Sequence, residues 1–299
     1  MRILFFILIF LSGLTAYAQE RKIPAGNAGA QLRYGRELIA HTALYLGPKG
    51  RVAHLTNGMD CQNCHNNAGT KPYGLNLKAV AANYPQYMPR TGNVLSIAGR
   101  INGCMQRSLN GKVLDTTSRE MKAMIAYIQW LGKGVPKRTK PAGSSVIKLV
   151  YMDRAANPAE GEKVYLKKCQ VCHGQNGQGV FNADKTEYTF PPLWGDHSYN
   201  DGAGLYRITT FAAFVKSNMP FGTTYKNPQL TDEEAWNVAA FINSQPRPHF
   251  DQSADWKDVS KKPVDFPFAP YADGFSEHQH KFGPYQPIAN AQKSTTKKS

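Results

Sequence analysis

Apolar residues recur at helical spacing in four stretches of the chain, and the four form two pairs. The leading member of each pair spans Arg33 to Leu46 and roughly Pro158 to Lys168, where Asn157 can cap and Pro158 can occupy the first turn. The trailing members follow Thr117-x-x-Glu120 and Thr231-x-x-Glu234, both capping-box spacings. After the first come Met121, Met124, Ile125 and Ile128, with Gly132 as a stop; after the second come Val238, Phe241 and Ile242, with Pro246 beyond the end. The pattern predicts an internal duplication: helix, long loop, helix, twice over.

Between the pairs, residues 133–143 combine Pro, Gly and charge as a linker does, which puts a boundary near residue 145. Beyond Pro248 no periodicity is evident, yet Phe266, Phe268, Tyr271, Phe275, Phe282 and Tyr285 are too many aromatics for a free tail. This extension is expected to pack as irregular structure to about Ile288, with a disordered Lys-rich end. The domains predicted are thus 19–144, 145–248 and an extension, 249–299.

At the amino terminus, Met1-Arg2 precedes an apolar block to Leu14 and then Ala16-Tyr17-Ala18. That order fits a secretory signal, residues 1–18, cleaved after Ala18, and the block is shorter than the roughly 20 residues that cross a bilayer. The mature chain is expected to be periplasmic with no stable membrane span. Its formal charge of +15 is consistent with nucleic acid, an anionic surface or small anions. Export argues against nucleic acid and leaves small anions or an acidic redox partner.

Five Cys in an exported chain suggest disulfides first, but four fall in Cys61-x-x-Cys64-His65 and Cys169-x-x-Cys172-His173. This is the attachment pattern of haem c: the two Cys form thioethers and the adjacent His binds iron. Two such strings, one in each repeat, predict two covalently bound haem c groups. The fold expected is all-α, two cytochrome c-type domains with long haem-wrapping loops and an irregular carboxy-terminal extension.

The ligand opposite each His decides the potential and the access of small molecules to iron. For the second haem the candidate is Met219, with Lys216 the nearest alternative. For the first, Met88, Cys104 and Met105 are candidates. Cys104 follows His65 at a distance comparable to that from His173 to Met219, and Arg90, Arg100, Arg107, Ser108 and Lys112 bracket it. Such a cluster favours thiolate, the form that binds iron and attacks sulfur, and can also hold a dianion.

The run from Arg100 through Gly103-Cys104-Met105 to Lys112 resembles the corresponding segment of thiosulfate dehydrogenases, dihaem cytochromes that join two thiosulfates into tetrathionate. Gly58 to His65 with Ala68-Gly69-Thr70, Tyr84-Pro85 leading to Arg90, Asn218-Met219-Pro220 and Gln279 to Pro284 also resemble that family. The resemblance implies His65/Cys104 ligation at a catalytic first haem and His173/Met219 at an electron-transfer second haem. Some family members carry Lys immediately before that Met; Asn218 stands there here and cannot bind iron in its place, leaving Lys216 as a weak substitute. The activity implied is an oxidoreductase with Arg90, Arg100, Ser108 and Lys112 around the anion, Cys104 linked transiently to one thiosulfate, and an external electron-acceptor protein such as another cytochrome. The same chemistry run backwards reduces tetrathionate. The rival reading is a dihaem electron carrier with no substrate.

Overall fold

The computed structural model describes residues 22–296, so the predicted signal segment 1–18 and the last three residues lie outside the described residues. Among the described residues, eight helices have six residues or more: α1 (Ala30–Ala40), α2 (Ile97–Arg107), α3 (Arg119–Leu131), α4 (Pro158–Lys168), α5 (Ile208–Asn218), α6 (Asp232–Ser244), α7 (Glu277–Phe282) and α8 (Tyr285–Thr296). Two short antiparallel hairpins are the sheet structure found there, β1 (Gln86–Met88) with β2 (Asn93–Leu95) and β3 (Val180–Phe181) with β4 (Tyr188–Phe190). The fold is all-α.

The first and last helices of each repeat cross and pack, α1 on α3 and α4 on α6. Both crossings turn on a glycine. A Cβ on Gly35 would lie 2.0 Å from the Ala123 carbonyl oxygen, and one on Gly161 would lie 1.9 Å from that of Asn237. Only a residue without a side chain lets the backbones approach this closely. Separate cores form around the crossings, one with Leu38, Met121 and Met124, the other with Tyr165, Trp236 and Ile242.

Local chemistry explains where the helices begin and end. Thr231 Oγ1 accepts from the Glu234 N–H at 3.0 Å and Glu234 Oε2 accepts from the Thr231 N–H at 2.8 Å, the reciprocal cap the pattern predicts. The cap of α3 is instead Ser118, whose Oγ accepts from the Met121 N–H at 3.1 Å, because Asp115 captures both the N–H and the hydroxyl of Thr117. The leading helix, expected to run unbroken to Leu46, breaks at His41 and resumes as Thr42–Leu46. Into that break docks the first haem string: Cys61 N–H donates to Thr42 Oγ1 at 3.0 Å, and Ala43 N–H to Asp60 Oδ1 at 2.7 Å.

Ser144 and Ser145 face a cavity of the first repeat, while Val146, Ile147 and Leu149 pack into the core of the second. Residues 249–275 hold no regular structure beyond the turn Val259–Lys261. From 277 onward, however, the extension is helical rather than irregular. Ser276 caps α7, and in α8 Tyr285 and Ile288, three apart, bury into the second core and fix the helix there.

Candidate functional site

Each repeat encloses a cavity beside its Cys-x-x-Cys-His string. The first, about 370 Å³, is lined by Cys61, His65, Met88, Arg100, Cys104 and Met105 among others. The second, about 610 Å³ and largely apolar, receives Cys169, Cys172, His173 and Met219. None of the five cysteines is joined to another in a disulfide.

Both histidines are oriented alike. His65 Nδ1 lies 2.5 Å from the Leu75 carbonyl oxygen and His173 Nδ1 lies 2.8 Å from that of Pro191. A carbonyl only accepts, so Nδ1 carries the proton and Nε2 keeps a free lone pair, the tautomer an iron ligand requires. With paired thiols and an apolar cavity beside each ring, the residues fit haem c at both places. His65 and Cys104 would hold the first iron, His173 and Met219 the second, and the four string cysteines the porphyrin edges.

Of the three sulfur candidates in the first repeat, Cys104 is the one whose ionisation is coupled to His65, and both side chains line the cavity. Met88 also lines the cavity, but its sulfur receives the Tyr84 hydroxyl at 3.8 Å. Helix α2 carries Cys104, capped by Ser96 Oγ on the Gly99 N–H at 3.1 Å. Arg100 stands one turn before it on the same face. Burial pushes the Cys104 thiol up, but the charges around it, Arg100 foremost and Arg90 with it, bring the pKa down to about 6. Tyr84, on the same cavity lining, helps keep Arg100 charged.

The remaining predicted residues lie farther out. Arg90 acts on Cys104 electrostatically from beyond the cavity lining, its Nη1 donating to the Gly202 carbonyl at 3.0 Å. Ser108 ends the helix, its N–H donating to the Cys104 carbonyl at 2.8 Å, and does not line the cavity. Lys112, grouped with Cys104 by sequence proximity, is carried away from it and exposed. The chain turns at Asn110, Gly111 packs against Leu55, and the Lys112 N–H donates to the Leu55 carbonyl.

Lys216 does not line the second cavity; its Nζ is held by the Leu230 carbonyl at 2.6 Å and by Asp232 at 2.7 Å. Asn218 is buried and donates to the Tyr73 and Phe214 carbonyls. Cys61 faces the first cavity whereas Cys64, Gln62 and Asn63 face the second, so the first haem string is a wall common to both.

The family described as SoxA/TsdA, cytochrome c domain, matches residues 52–136, and the cytochrome c family matches residues 158–246. The chain is 39% identical over 238 residues to the thiosulfate dehydrogenase of Psychrobacter arcticus, covering 79% of this chain and 70% of that one. It is 35% identical over 255 residues to that of Allochromatium vinosum, covering 80% and 91%. This chain belongs to the thiosulfate dehydrogenase family. It is an oxidoreductase with two covalently bound haem c groups. The solved thiosulfate dehydrogenase (TsdBA) of Marichromatium purpuratum, in its as-isolated form, superposes with a TM-score of 0.70 at 33% identity over 83% of this chain. The match spans 52% of that solved chain, so this chain corresponds to about half of it.

Sequence reasoning missed the residues that hold the site's arginines. Arg107 Nη2 donates to Asp255 Oδ1 at 2.9 Å, and Arg90 lies over the Trp256 ring at 5.7 Å. These partners lie 148 and 166 residues apart in the chain, and no local pattern links them.

Proposed function

We propose that the chain is an exported, periplasmic enzyme that couples two thiosulfates to tetrathionate at the first cavity and passes the electrons to an external redox protein. The observation that carries this reading is Cys104 facing His65 in the first cavity, with the guanidinium-bearing Arg100 one helical turn away on the same lining. The kinship with thiosulfate dehydrogenases supports the choice of substrate. Arg100 and Arg90 offset the charge of a thiosulfate dianion in a partly dry site, where such contacts act more strongly than in water.

Cys104 Sγ forms a bond to the outer sulfur of one thiosulfate, and two electrons leave. The outer sulfur of a second thiosulfate then attacks the same sulfur, the bond to Sγ breaks, and Cys104 departs as thiolate while tetrathionate forms. No proton is needed, and the second step is thiol–disulfide exchange with a thiosulfate nucleophile. The two haems supply a pair of one-electron acceptors when bound. The first haem string borders both cavities, and Met219, which would hold the second iron, suits that group to outward transfer. Every step reverses, so direction follows the potential of the partner. A net charge of +15 favours an acidic partner, such as another cytochrome.

The test is steady-state turnover of the haem-loaded protein with thiosulfate and ferricyanide, with tetrathionate quantified. Two thiosulfates consumed per tetrathionate formed is the expected result. No turnover from mildly acid to neutral pH, with both haems reducible, would make the chain an electron carrier instead.

A further inference from the structure

The two matched cytochrome regions end at residue 246, yet the anion-site arginines are held by residues beyond that point. Arg90 feels the charges of Arg107, Arg207 and Arg100, so four guanidinium groups gather where α2 meets the second repeat. Two of them have carboxylate partners, both from the extension. Asp255 pairs with Arg107 at 2.9 Å, and Asp265, with no exposed side-chain surface, pairs with Arg207 at 2.5 Å. Among the described residues Arg90 and Arg100 form no ion pair. These two also act on Cys104. The extension therefore neutralises the outer arginines and leaves Arg100, on the cavity lining, and Arg90, just beyond it, with no carboxylate of their own.

Trp256 joins the extension to Arg90. Its backbone N–H donates to the Arg90 carbonyl at 2.7 Å, and its indole lies under the Arg90 guanidinium, 5.7 Å from charge centre to ring centroid. Its backbone is left-handed, φ 59°, an unfavourable conformation for a bulky residue that persists where the surroundings over-determine it. Those surroundings are the Arg90 carbonyl on one side and Phe266, 5.3 Å away ring to ring, on the other. The side chain is 8% exposed. Burial, together with the charge of Arg107, pulls the Arg90 guanidinium down to about 10. A cation so placed is short of counter-charge, which an arriving anion provides.

We infer that Trp256 is a positioning residue of the thiosulfate site, holding Arg90 against the Gly202 carbonyl so that its charge is presented toward Cys104. The inference rests on the function proposed above and assigns the extension a part in it. The relevant variants are Trp256→Phe, which keeps an aromatic face under the cation, and Trp256→Leu, which keeps apolar bulk without one. Haem content and melting temperature are recorded for each.

In the holoprotein, Trp256→Leu is expected to raise KM for thiosulfate about tenfold with kcat within about twofold, and Trp256→Phe to restore most of the loss. The double variant with Arg90→Ala should be no worse than Arg90→Ala alone, because Trp256 acts through that side chain. An unchanged KM in Trp256→Leu, or losses that add in the double variant, would overturn the assignment. If the unmutated holoprotein fails to turn over thiosulfate, the proposed function is what fails. The same cycle read as the dissociation constant of thiosulfate by calorimetry then still decides the role of Trp256, and absence of thiosulfate binding to the unmutated holoprotein overturns both.

Discussion

Cys104, the one cysteine outside the haem strings, has its pKa brought down to about 6. Burial opposes its ionisation; the largest influence the other way is Arg100, one helical turn away. Cys104→Ser should retain two haems per chain by haemochrome assay and lose about a thousandfold or more in turnover, the scale on which removing a covalent nucleophile acts. In Arg100→Ala the thiol loses its main support for the thiolate. The acid limb of the pH–rate profile should therefore move to higher pH, with KM also rising about tenfold. Asp60, beside the first string, behaves oppositely to the usual carboxylate. Burial raises it to about 7 against the help of the Ala43 N–H. A raised folded-state pKa means that the folded protein holds the proton more tightly, so this group lowers stability as pH climbs from about 4 to about 7. Asp60→Asn should gain up to about 4 kcal/mol over the unmutated protein across that window, read by urea unfolding at pH 4 and pH 8.

At the level of elements, the helix crossings hold each repeat in shape around its cavity, and both depend on a missing side chain. Gly161→Ala places a methyl 1.9 Å from a backbone oxygen that cannot rotate away, so α4 must separate from α6. A loss of about 3 kcal/mol or more is expected for the second repeat, with the first little affected, seen as a lowered thermal transition of the second haem's absorbance. These four crossing helices were legible because each is amphipathic, and the end signals of two hold as read, Asn157 with Pro158 opening α4 and Thr231 with Glu234 opening α6; α1 has no side-chain cap, and the break at His41 leaves no local mark. Two others were not. Helix α5 is buried on nearly all sides, from Ile208 through Phe214 to Asn218, and so shows no polar stripe. Helix α2 is broken up by Gly99, Asn102 and Gly103, residues with weak helical preference. The haem strings were legible because covalent attachment demands a fixed short motif. Trp256 and Asp255 were not, because their role exists only after the chain has folded back on itself.

Across the whole molecule, α2 is gripped from three directions: by its own repeat, by the 195–204 loop of the second, and by the extension. Asn200 Nδ2 donates to the Gln106 carbonyl and to Asn110 Oδ1, both at 2.9 Å, while Asp255 takes Arg107. The extension is itself anchored to the second repeat through Asp265, which accepts from Arg207 Nε at 2.7 Å and from the N–H of Thr209 at 3.0 Å. Removing one member of this buried pair has a larger effect than the pair's net contribution, because a carboxylate with no exposed surface is left without its cation. Arg207→Ala should cost about 3 to 5 kcal/mol if the contact stays closed. The extension has a cheaper response available, since detaching the segment around Asp265 returns the carboxylate to water. Limited proteolysis should therefore show new cleavage between residues 249 and 275 while both haems remain attached, together with a higher KM for thiosulfate as Trp256 leaves Arg90. Asp265→Asn, which keeps the hydrogen-bond shape and removes the charge needing a partner, should resist cleavage better than Arg207→Ala. The opposite ranking would mean that the ion pair's charge, rather than the avoidance of an unpaired carboxylate, holds the extension in place.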